Sequence, residues 1–220
     1  MIETFSVPRG LRVSSVVPRG AQALASLGGN KHYIGSMSWI DQRPDDAMDG
    51  AFEAVGPLPV ATCEPARFRE AMSLLGAAVH VVTSAGPAGK TGITATAVCP
   101  VSDQPPTLLV CLNRKSQSAP VLQQNGVLCV NTLGANEEAV ADVFAGRTGA
   151  RSVERFHVGE WTTLVTGSPV LASAVVAFDC RIVDIKTVAS HNVIFGAVEA
   201  VRLGPVGAAL VYHDRAYKQV

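Results

Sequence analysis

The chain has no excess of charge of either sign. Lys plus Arg and Asp plus Glu number 18 each among 220 residues, so the formal net charge is zero. Nucleic-acid binding depends on clustered positive charge, and this composition argues against it. No apolar run approaches the roughly 20 residues that cross a bilayer. Since 48% of the residues are hydrophobic, the sequence predicts a soluble globular protein with a substantial core, and neither nucleic acid nor membrane as a partner.

Cysteine is scarce and irregularly placed. The five cysteines are odd in number, widely spaced, and form no CxxC pair or cluster with histidine; they are Cys63, Cys99, Cys111, Cys129 and Cys180. This pattern disfavours disulfides and zinc, so we expect no metal site. The last three lie in strand-like apolar runs, where a thiol behaves as a small buried hydrophobe. A reducing cytoplasm is the expected compartment.

Glycine-rich phosphate loops of the Walker and Rossmann types are also missing. Instead, short apolar runs rich in β-branched residues recur along the second half of the chain. A hairpin is predicted from 77–86 and 93–101, and further strands at 107–113, 127–132, 175–188, 193–201 and 208–213. Six or more strands with few short helices favour a mainly β, antiparallel barrel with helices at its margins.

Three helices are predicted between these strands. The first begins at Pro65, ends before Gly76 and has an amphipathic spacing of apolar side chains: Phe68, Ala71, Met72 and Leu75. The second covers 118–124. The third covers 136–145, with Asn136 as its N-cap and Gly146 as its stop.

Residues 1–62 differ from the rest of the chain in composition and sequence pattern. They repeat the segment VPRG, are rich in Ser and Gly, and show no sustained periodicity. We therefore divide the chain into an extension, 1–62, expected to be poorly ordered, and a domain, 63–220. The basic, acid-poor start is faintly similar to an organelle transit peptide. A disordered tail, or translation from Met37 or Met48, is the favoured alternative.

The segment 90–116 carries the most suggestive chemistry. Small and hydroxyl side chains are followed, after a turn and a strand, by an amide, two cations and a hydroxyl; the residues are Thr94, Ala95, Thr96, Ala97, Asn113, Arg114, Lys115 and Ser116. Small side chains let the backbone approach a flat ring, while hydroxyls and cations bind phosphate. A nucleotide site and a polar turn between two buried strands both remain open on composition alone.

Several segments in order resemble a known family over nearly all of 66–218. The matching stretches are FREAMSLLGAAVHVVT, GITATAVCPVSDQPPTLLVCLNRKS, NGVLCVNTL, VFAG, ERF, FDCRI, SHNVIFGAV and LVYHDRAY. They are similar to the flavin reductase-like proteins of the FMN-binding split-barrel type, especially reductase components of two-component aromatic-ring monooxygenases and the pyrimidine-utilisation flavin reductase. The resemblance implies a six-stranded antiparallel Greek-key split β-barrel with a few peripheral helices, and a homodimer.

The resemblance also implies an activity and its residues. The expected reaction is NAD(P)H-dependent reduction of FMN or FAD, with reduced flavin passing to a partner monooxygenase. The small residues Thr94, Ala95, Thr96 and Ala97 would line the ring and ribityl chain. The polar residues Asn113, Lys115 and Ser116 would reach the pyrimidine edge or the phosphate, and Arg114 or Lys115 would neutralise that phosphate. Ala97 departs from the family, where a hydroxyl is common.

By the same resemblance, His191 in SHNVIFG is the expected catalytic residue, placed where the nicotinamide stacks on the flavin. The alternative is that His191 only caps a strand. Ala189 replaces a common glycine, which alters the loop if positive φ is needed there. We expect His80 to be structural, whereas His213 either faces the site with Tyr217 or packs at the barrel end.

Other functions on the same barrel stay open. Related barrels carry flavin or haem without turnover, because a fold does not fix a function. An oxidase of the pyridoxamine-phosphate type is a further alternative, which SHNVIFG argues against. The sequence does not choose between FMN and FAD or between NADH and NADPH.

Overall fold

The computed structural model of this protein describes residues 63–220. The extension predicted for 1–62 lies outside the described residues. The helices are α1 (Pro65–Ser73), α2 (Ser118–Asn125) and α3 (Glu138–Phe144), with a 3-10 helix at Glu154–His157. The strands are β1 (Ala77–Ala78), β2 (His80–Gly86), β3 (Gly89–Ala95), β4 (Val98–Asp103), β5 (Pro106–Asn113), β6 (Val127–Thr132), β7 (Trp161–Thr163), β8 (Pro169–Leu171), β9 (Val176–Val188), β10 (His191–Leu203), β11 (Leu210–His213) and β12 (Ala216–Gln219).

The main sheet has seven strands in the order β3-β2-β6-β9-β10-β5-β4, and every neighbouring pair is antiparallel. Its two edge strands, β3 and β4, are consecutive in the chain and are joined only by Thr96 and Ala97. So short a link between opposite edges requires the sheet to curl into a barrel. The mainly β fold class is therefore confirmed.

The strand count differs from the six predicted. The run 93–101 was predicted as one strand, but it breaks at Thr96 and Ala97, so its two halves lie on opposite edges of the sheet. No glycine or proline marks this break in the sequence, which is why the hydrophobic pattern did not reveal it. A three-stranded sheet, β1-β11-β12, and a two-stranded one, β7-β8, complete the fold.

Strand β6 shows why a continuous apolar run forms here. Val127, Leu128, Cys129, Val130 and Asn131 are all buried, so both faces of the strand are covered. Leu128 and Val130 join the cluster inside the barrel, whereas Cys129 packs outside it with residues of β8 and β9. A strand buried on both faces shows no alternation of polar and apolar residues.

Buried hydrogen bonds attach the β7-β8 hairpin to the barrel. The Asn131 amide donates to the Val81 carbonyl at 3.1 Å and accepts from the Leu171 N–H at 2.8 Å. The fully buried Asp179 accepts from the Thr166 N–H at 2.8 Å. Because buried polar groups are costly unless paired, these bonds fix one position for the hairpin.

An aromatic cluster packs the other side of the barrel. The rings of Phe144, Phe156 and Trp161 contact one another edge to face or tilted, with centroids 5.0–5.4 Å apart. A Cβ on Gly92 would lie 2.6 Å from the Phe144 ring, so only glycine lets β3 approach α3 this closely. The contact sets the distance between the two elements that flank the candidate site.

The helices follow the predictions with two differences. α1 begins at Pro65 as predicted, but its apolar side chains, including Phe68 and Met72, are exposed rather than packed on the barrel. α3 begins at Glu138 with Glu137 as N-cap, so the predicted N-cap Asn136 is wrong. None of the helices in the described part has the length and apolarity needed to span a bilayer.

All five cysteines are free thiols. Cys129 and Cys180 are buried as predicted, whereas Cys111 is only half-buried. Burial raises the pKa of the Cys180 thiol to about 12 and also raises that of Cys129, so both are unreactive packing groups.

The β11-β12 turn yields a stability prediction. His213 pairs with Ala216, leaving Asp214 and Arg215 as a two-residue turn with φ values of 50° and 57°. Aspartate tolerates this region, whereas arginine is strained and glycine is preferred at the second position of a type I′ turn. Arg215→Gly should stabilise the protein by about 0.5–1 kcal/mol, about 2 °C in Tm. Calorimetry tests this, and Arg215→Ala, which keeps a Cβ, should gain nothing.

Strand β2 yields a pH-dependence prediction. His80 is 8% exposed, its Nδ1 lies 3.0 Å from the Thr132 hydroxyl, and burial lowers its pKa to about 4. An unfolded histidine titrates near 6.5, so stability present above that pH is lost as pH falls toward 4. We expect the protonation of His80 alone to lower the free energy of unfolding by about 2 kcal/mol between pH 7 and pH 5.

Urea unfolding at the two pH values, compared between the wild type and His80→Asn, measures this effect. The asparagine cannot acquire a proton, so its stability should change less over this interval. Equal pH dependence in the two proteins would show that His80 does not titrate on unfolding.

Candidate functional site

The predicted site residues lie in three places. Thr94 and Ala95 end β3, and Thr96 and Ala97 form its link to β4. The Asn113–Ser116 segment ends β5 and leads into α2, and His191 starts β10. The register pairs His191 with Asn113, so two segments that are 78 positions apart in the sequence become neighbours. The structure thus brings the second and third groups into contact.

Three adjoining hollows connect these places. The first, of about 360 Å³, is lined by Asn113, Lys115, Ser116, Ser118, Ala145 and Arg155, among others. The second, of about 230 Å³, is lined by Thr94, Ala95, Thr96, Ala145, Arg147 and Tyr217, among others. The third, of about 680 Å³, is lined by Asn113, Arg114, Lys115, Ala189 and Ser190. Ala145 is shared by the first two hollows, and Asn113 and Lys115 by the first and third.

The turn after β5 is held by its own hydrogen bonds. The Asn113 amide oxygen accepts from the Lys115 N–H at 2.9 Å, and the Ser116 hydroxyl accepts from the Ser118 N–H at 3.2 Å. These bonds use the N–H groups of Lys115 and Ser118, and within residues 63–220 the Lys115 ammonium and the Ser116 O–H make no other hydrogen bond. The turn therefore presents side-chain donors rather than a nest of backbone N–H groups.

The first hollow is electropositive. Lys115 and Arg155 both line it, and no carboxylate among residues 63–220 forms a salt bridge with either. The first turn of α2 also faces it through Ser118, and a helix N-terminus carries partial positive charge. Such a donor set suits an anion that accepts several hydrogen bonds.

Thr94 has a structural role that the sequence did not indicate. Its hydroxyl donates to the Ala141 carbonyl of α3 at 2.6 Å and so anchors the end of β3. Thr96 and Ala97 are exposed, and the Ala97 carbonyl accepts from the Cys111 N–H at 2.9 Å. The link therefore presents the Thr96 hydroxyl and the Ala97 methyl group, and its backbone is fixed against β5.

Arg155 is a site residue that sequence reasoning missed. Its guanidinium donates to the carbonyls of Ala150, Gly92 and Phe144 at 3.1, 3.2 and 3.4 Å. It thus joins the 3-10 helix, β3 and α3 around the first hollow. The segment ERF was a signal for it, but contacts across more than 60 positions are not visible in sequence spacing.

Tyr217 faces the second hollow, whereas His213 has another partner. The Tyr217 hydroxyl donates to Asp142 at 3.1 Å, and Asp142 also pairs with Arg147 at 2.7 Å. Burial, followed by the bond to Asp142, raises the pKa of Tyr217 to about 12, so the phenol stays protonated at neutral pH. The Lys218 ammonium donates to His213 Nδ1 at 2.8 Å. Of the predicted pair, only Tyr217 lines the site.

His191 is exposed and lines none of the three hollows, but its sequence neighbour Ser190 and its pairing partner Asn113 both line the third. It pairs with Val188 across a two-residue turn formed by Ala189 and Ser190. Ala189 has a φ of 48°, so the position does require the left-handed region in which glycine is favoured. Arg114 holds the turn, donating from its N–H to the Ser190 carbonyl at 3.0 Å and from its guanidinium to the Ala189 carbonyl at 3.4 Å.

Comparison with known proteins identifies the family of this chain. The flavin reductase like domain family matches residues 72–220. FMN reductase (NADH) RutF of Methylorubrum extorquens strain DM4 is 51% identical over 168 residues, which is 76% of this chain and 81% of that protein. The enzyme of the same name in Escherichia coli O6:K15:H31 strain 536 is 49% identical over 150 residues, 68% of this chain and 90% of its own.

Solved structures show the same fold. A candidate flavin reductase of Haemophilus somnus 129pt is 42% identical with a TM-score of 0.69, covering 72% of this chain and 100% of that one. BorF, the flavin reductase component of a bacterial two-component tryptophan halogenase, is 26% identical with a TM-score of 0.67, covering 71% and 98%. These matches confirm the resemblance found in the sequence. The chain belongs to the flavin reductase like domain family.

Proposed function

We propose that residues 63–220 form an NADH-dependent flavin reductase that transfers hydride from the dihydronicotinamide to FMN. The observation that carries this proposal is the series of hollows, in which a cationic site at Lys115 and Arg155 adjoins His191 through Asn113. Relatives about half identical to this chain are named FMN reductase (NADH), which supports FMN and NADH as the substrates.

The residues present fit a flavin mononucleotide. Its phosphate needs cations and a hydroxyl, which Lys115, Arg155 and Ser116 supply in the first hollow. Its ring needs small or flat neighbours, which Ala95 and Tyr217 supply together with the exposed Ala97. Asn113 lines the first hollow, so its amide NH₂ is available to the flavin there, and it also lines the third hollow and pairs with His191.

Hydride transfer to a flavin requires little acid or base catalysis from the protein. Bound flavin would accept hydride because the isoalloxazine ring is itself an electron sink. The side chains of this chain therefore act by binding and orienting. His191 would orient the nicotinamide, and the link at Thr96 and Ala97 would hold the flavin against the barrel. Positioning of two reactants in this way can lower a barrier by several kcal/mol.

Partners and compartment follow as further proposals. α1 exposes Phe68 and Met72 to the extent of 57% and 47%, and Leu75, just beyond the helix, is 58% exposed; this apolar surface supports a homodimer in which it is covered. BorF is the reductase component of a two-component halogenase, which supports passage of reduced flavin to a partner enzyme, and the resemblance in sequence favours a monooxygenase as that partner. Five free thiols support a cytoplasmic location.

The activity and the role of His191 are tested together. Purified protein should oxidise NADH only when FMN is present, as followed by loss of the NADH absorbance. His191→Ala should raise the KM for NADH about tenfold, because one oriented contact is lost, and should leave the KM for FMN within about twofold. His157→Ala, which changes another exposed histidine, is the control.

Two outcomes would contradict these assignments. Retention of flavin without NADH oxidation would favour a non-catalytic flavin-binding barrel. Equal loss of NADH and FMN affinity in His191→Ala would make that histidine structural.

Lys115 is tested by comparing two flavins. If its ammonium neutralises the phosphate, Lys115→Ala should raise the KM for FMN by roughly tenfold and leave that for riboflavin, which has no phosphate, unchanged. Steady-state kinetics with both flavins measure this, with the exposed Lys186→Ala as the matched control. An equal effect on both flavins would place Lys115 at the pyrimidine edge instead.

A further inference from the structure

The imidazole of His191 is within hydrogen-bonding distance of the Ser190 side chain. The Ser190 hydroxyl lies 2.9 Å from His191 Nδ1, although the two residues are adjacent in the chain. Neighbouring residues of a regular strand point to opposite faces, so this contact requires the turn conformation that Ala189 and Ser190 adopt. The contact is therefore a product of the hairpin rather than of the strand.

The turn that carries Ser190 is fixed from two sides. The hairpin closes between Val188 and His191, and Arg114 at the end of β5 donates to the carbonyls of both turn residues. The positive φ of Ala189 is retained without glycine, so the surrounding bonds determine it. Ser190 is thus held in one place relative to the imidazole, which gives its hydroxyl a defined partner.

We propose that Ser190 is a positioning residue that donates its O–H to His191 Nδ1 and so keeps the proton of the neutral ring on Nε2. This inference rests on the proposed function. A neutral imidazole has one donor and one acceptor nitrogen, and the bond made by one nitrogen decides the role of the other. With Nδ1 accepting from Ser190, Nε2–H is the donor left free on the other side of the exposed ring.

This donor matches the nicotinamide. A carboxamide presents a carbonyl oxygen that accepts a hydrogen bond, and Nε2–H would donate to it. Among the described residues Ser190 Oγ makes no other hydrogen bond, so its proton has no competing acceptor within the domain. In the opposite arrangement Nδ1–H would donate to Ser190 and Nε2 would be an acceptor, which suits only the amide NH₂ group.

Nitrogen NMR of the ¹⁵N-histidine-labelled full chain tests the tautomer without flavin or NADH. At alkaline pH the wild type should show His191 with a protonated Nε2 and an unprotonated, hydrogen-bonded Nδ1, and His191→Ala identifies its signals among the five histidines. Ser190→Ala should move the Nδ1 resonance, and Ser190→Thr, which keeps the hydroxyl, should restore it. A proton on Nδ1 in the wild type, or an unchanged spectrum in Ser190→Ala, would overturn the proposal.

Kinetics provide the second readout. Ser190→Ala should raise the KM for NADH about fivefold, the factor that one ordinary hydrogen bond is worth, with the KM for FMN unchanged. Ser190→Thr should recover most of this loss. Thr187→Val, which removes the bond to Asn192 one pair away in the same hairpin, is the control.

A KM for NADH that Ser190→Ala leaves unaltered would overturn the positioning role. Failure of the wild type to oxidise NADH would instead contradict the proposed function. Because the NMR measurement needs neither substrate, the two failures are distinguishable.

Discussion

Closure of the barrel through Thr96 and Ala97 is the constraint on which the candidate site depends. The two residues join opposite edges of the sheet, so β3 and β4 must meet. Val98 pairs with Val110, which brings the end of β5 to the same end of the barrel as the link. His191 pairs with Asn113 and therefore lies at that end too. Antiparallel register alone thus gathers three segments that are far apart in sequence.

The elements around the barrel complete the site at the cost of burying polar groups. Asn131 and Asp179 are buried inside the protein. Hydrogen bonds to the segment 164–171 offset the free-energy cost of burying each polar side chain. That segment includes β8, which pairs with β7, and Trp161 of β7 contacts Phe156 beside Arg155. The place of Arg155 in the first hollow consequently depends on buried polar residues on the far side of the β7-β8 hairpin.

Much of this fold was predictable because apolar runs report burial. The bounds of β6 agree with the prediction at both ends, since both faces of that strand are buried. The break at Thr96 and Ala97 was not predictable, because both residues suit a strand and only closure of the barrel separates them. The apolar spacing of α1 predicted a helix correctly, but the same spacing serves a core or an interface, and here Phe68 is exposed.

The site residues also divide into those that the sequence predicted and those that only the fold revealed. The resemblance identified Lys115 and His191 because each lies within one short continuous motif. It missed Arg155, whose role arises from contacts with β3 and α3. The resemblance places Thr94 against the flavin ring and ribityl chain, and in the structure its hydroxyl bonds to the Ala141 carbonyl. A hydroxyl in a sequence indicates what a side chain is able to bond, and only the fold decides which partner it meets.

A reductase that passes reduced flavin to another enzyme must release it, and the character of the site suits this need. Lys115 is exposed, and charge pairs near solvent contribute far less than buried ones. Under the proposed function, the methyl group of Ala97 also supplies no hydrogen bond to the flavin, unlike the hydroxyl that the resemblance leads us to expect there. We therefore expect affinity to come from several weak contacts spread along the hollows, so that orientation is achieved without the tight binding that would delay release.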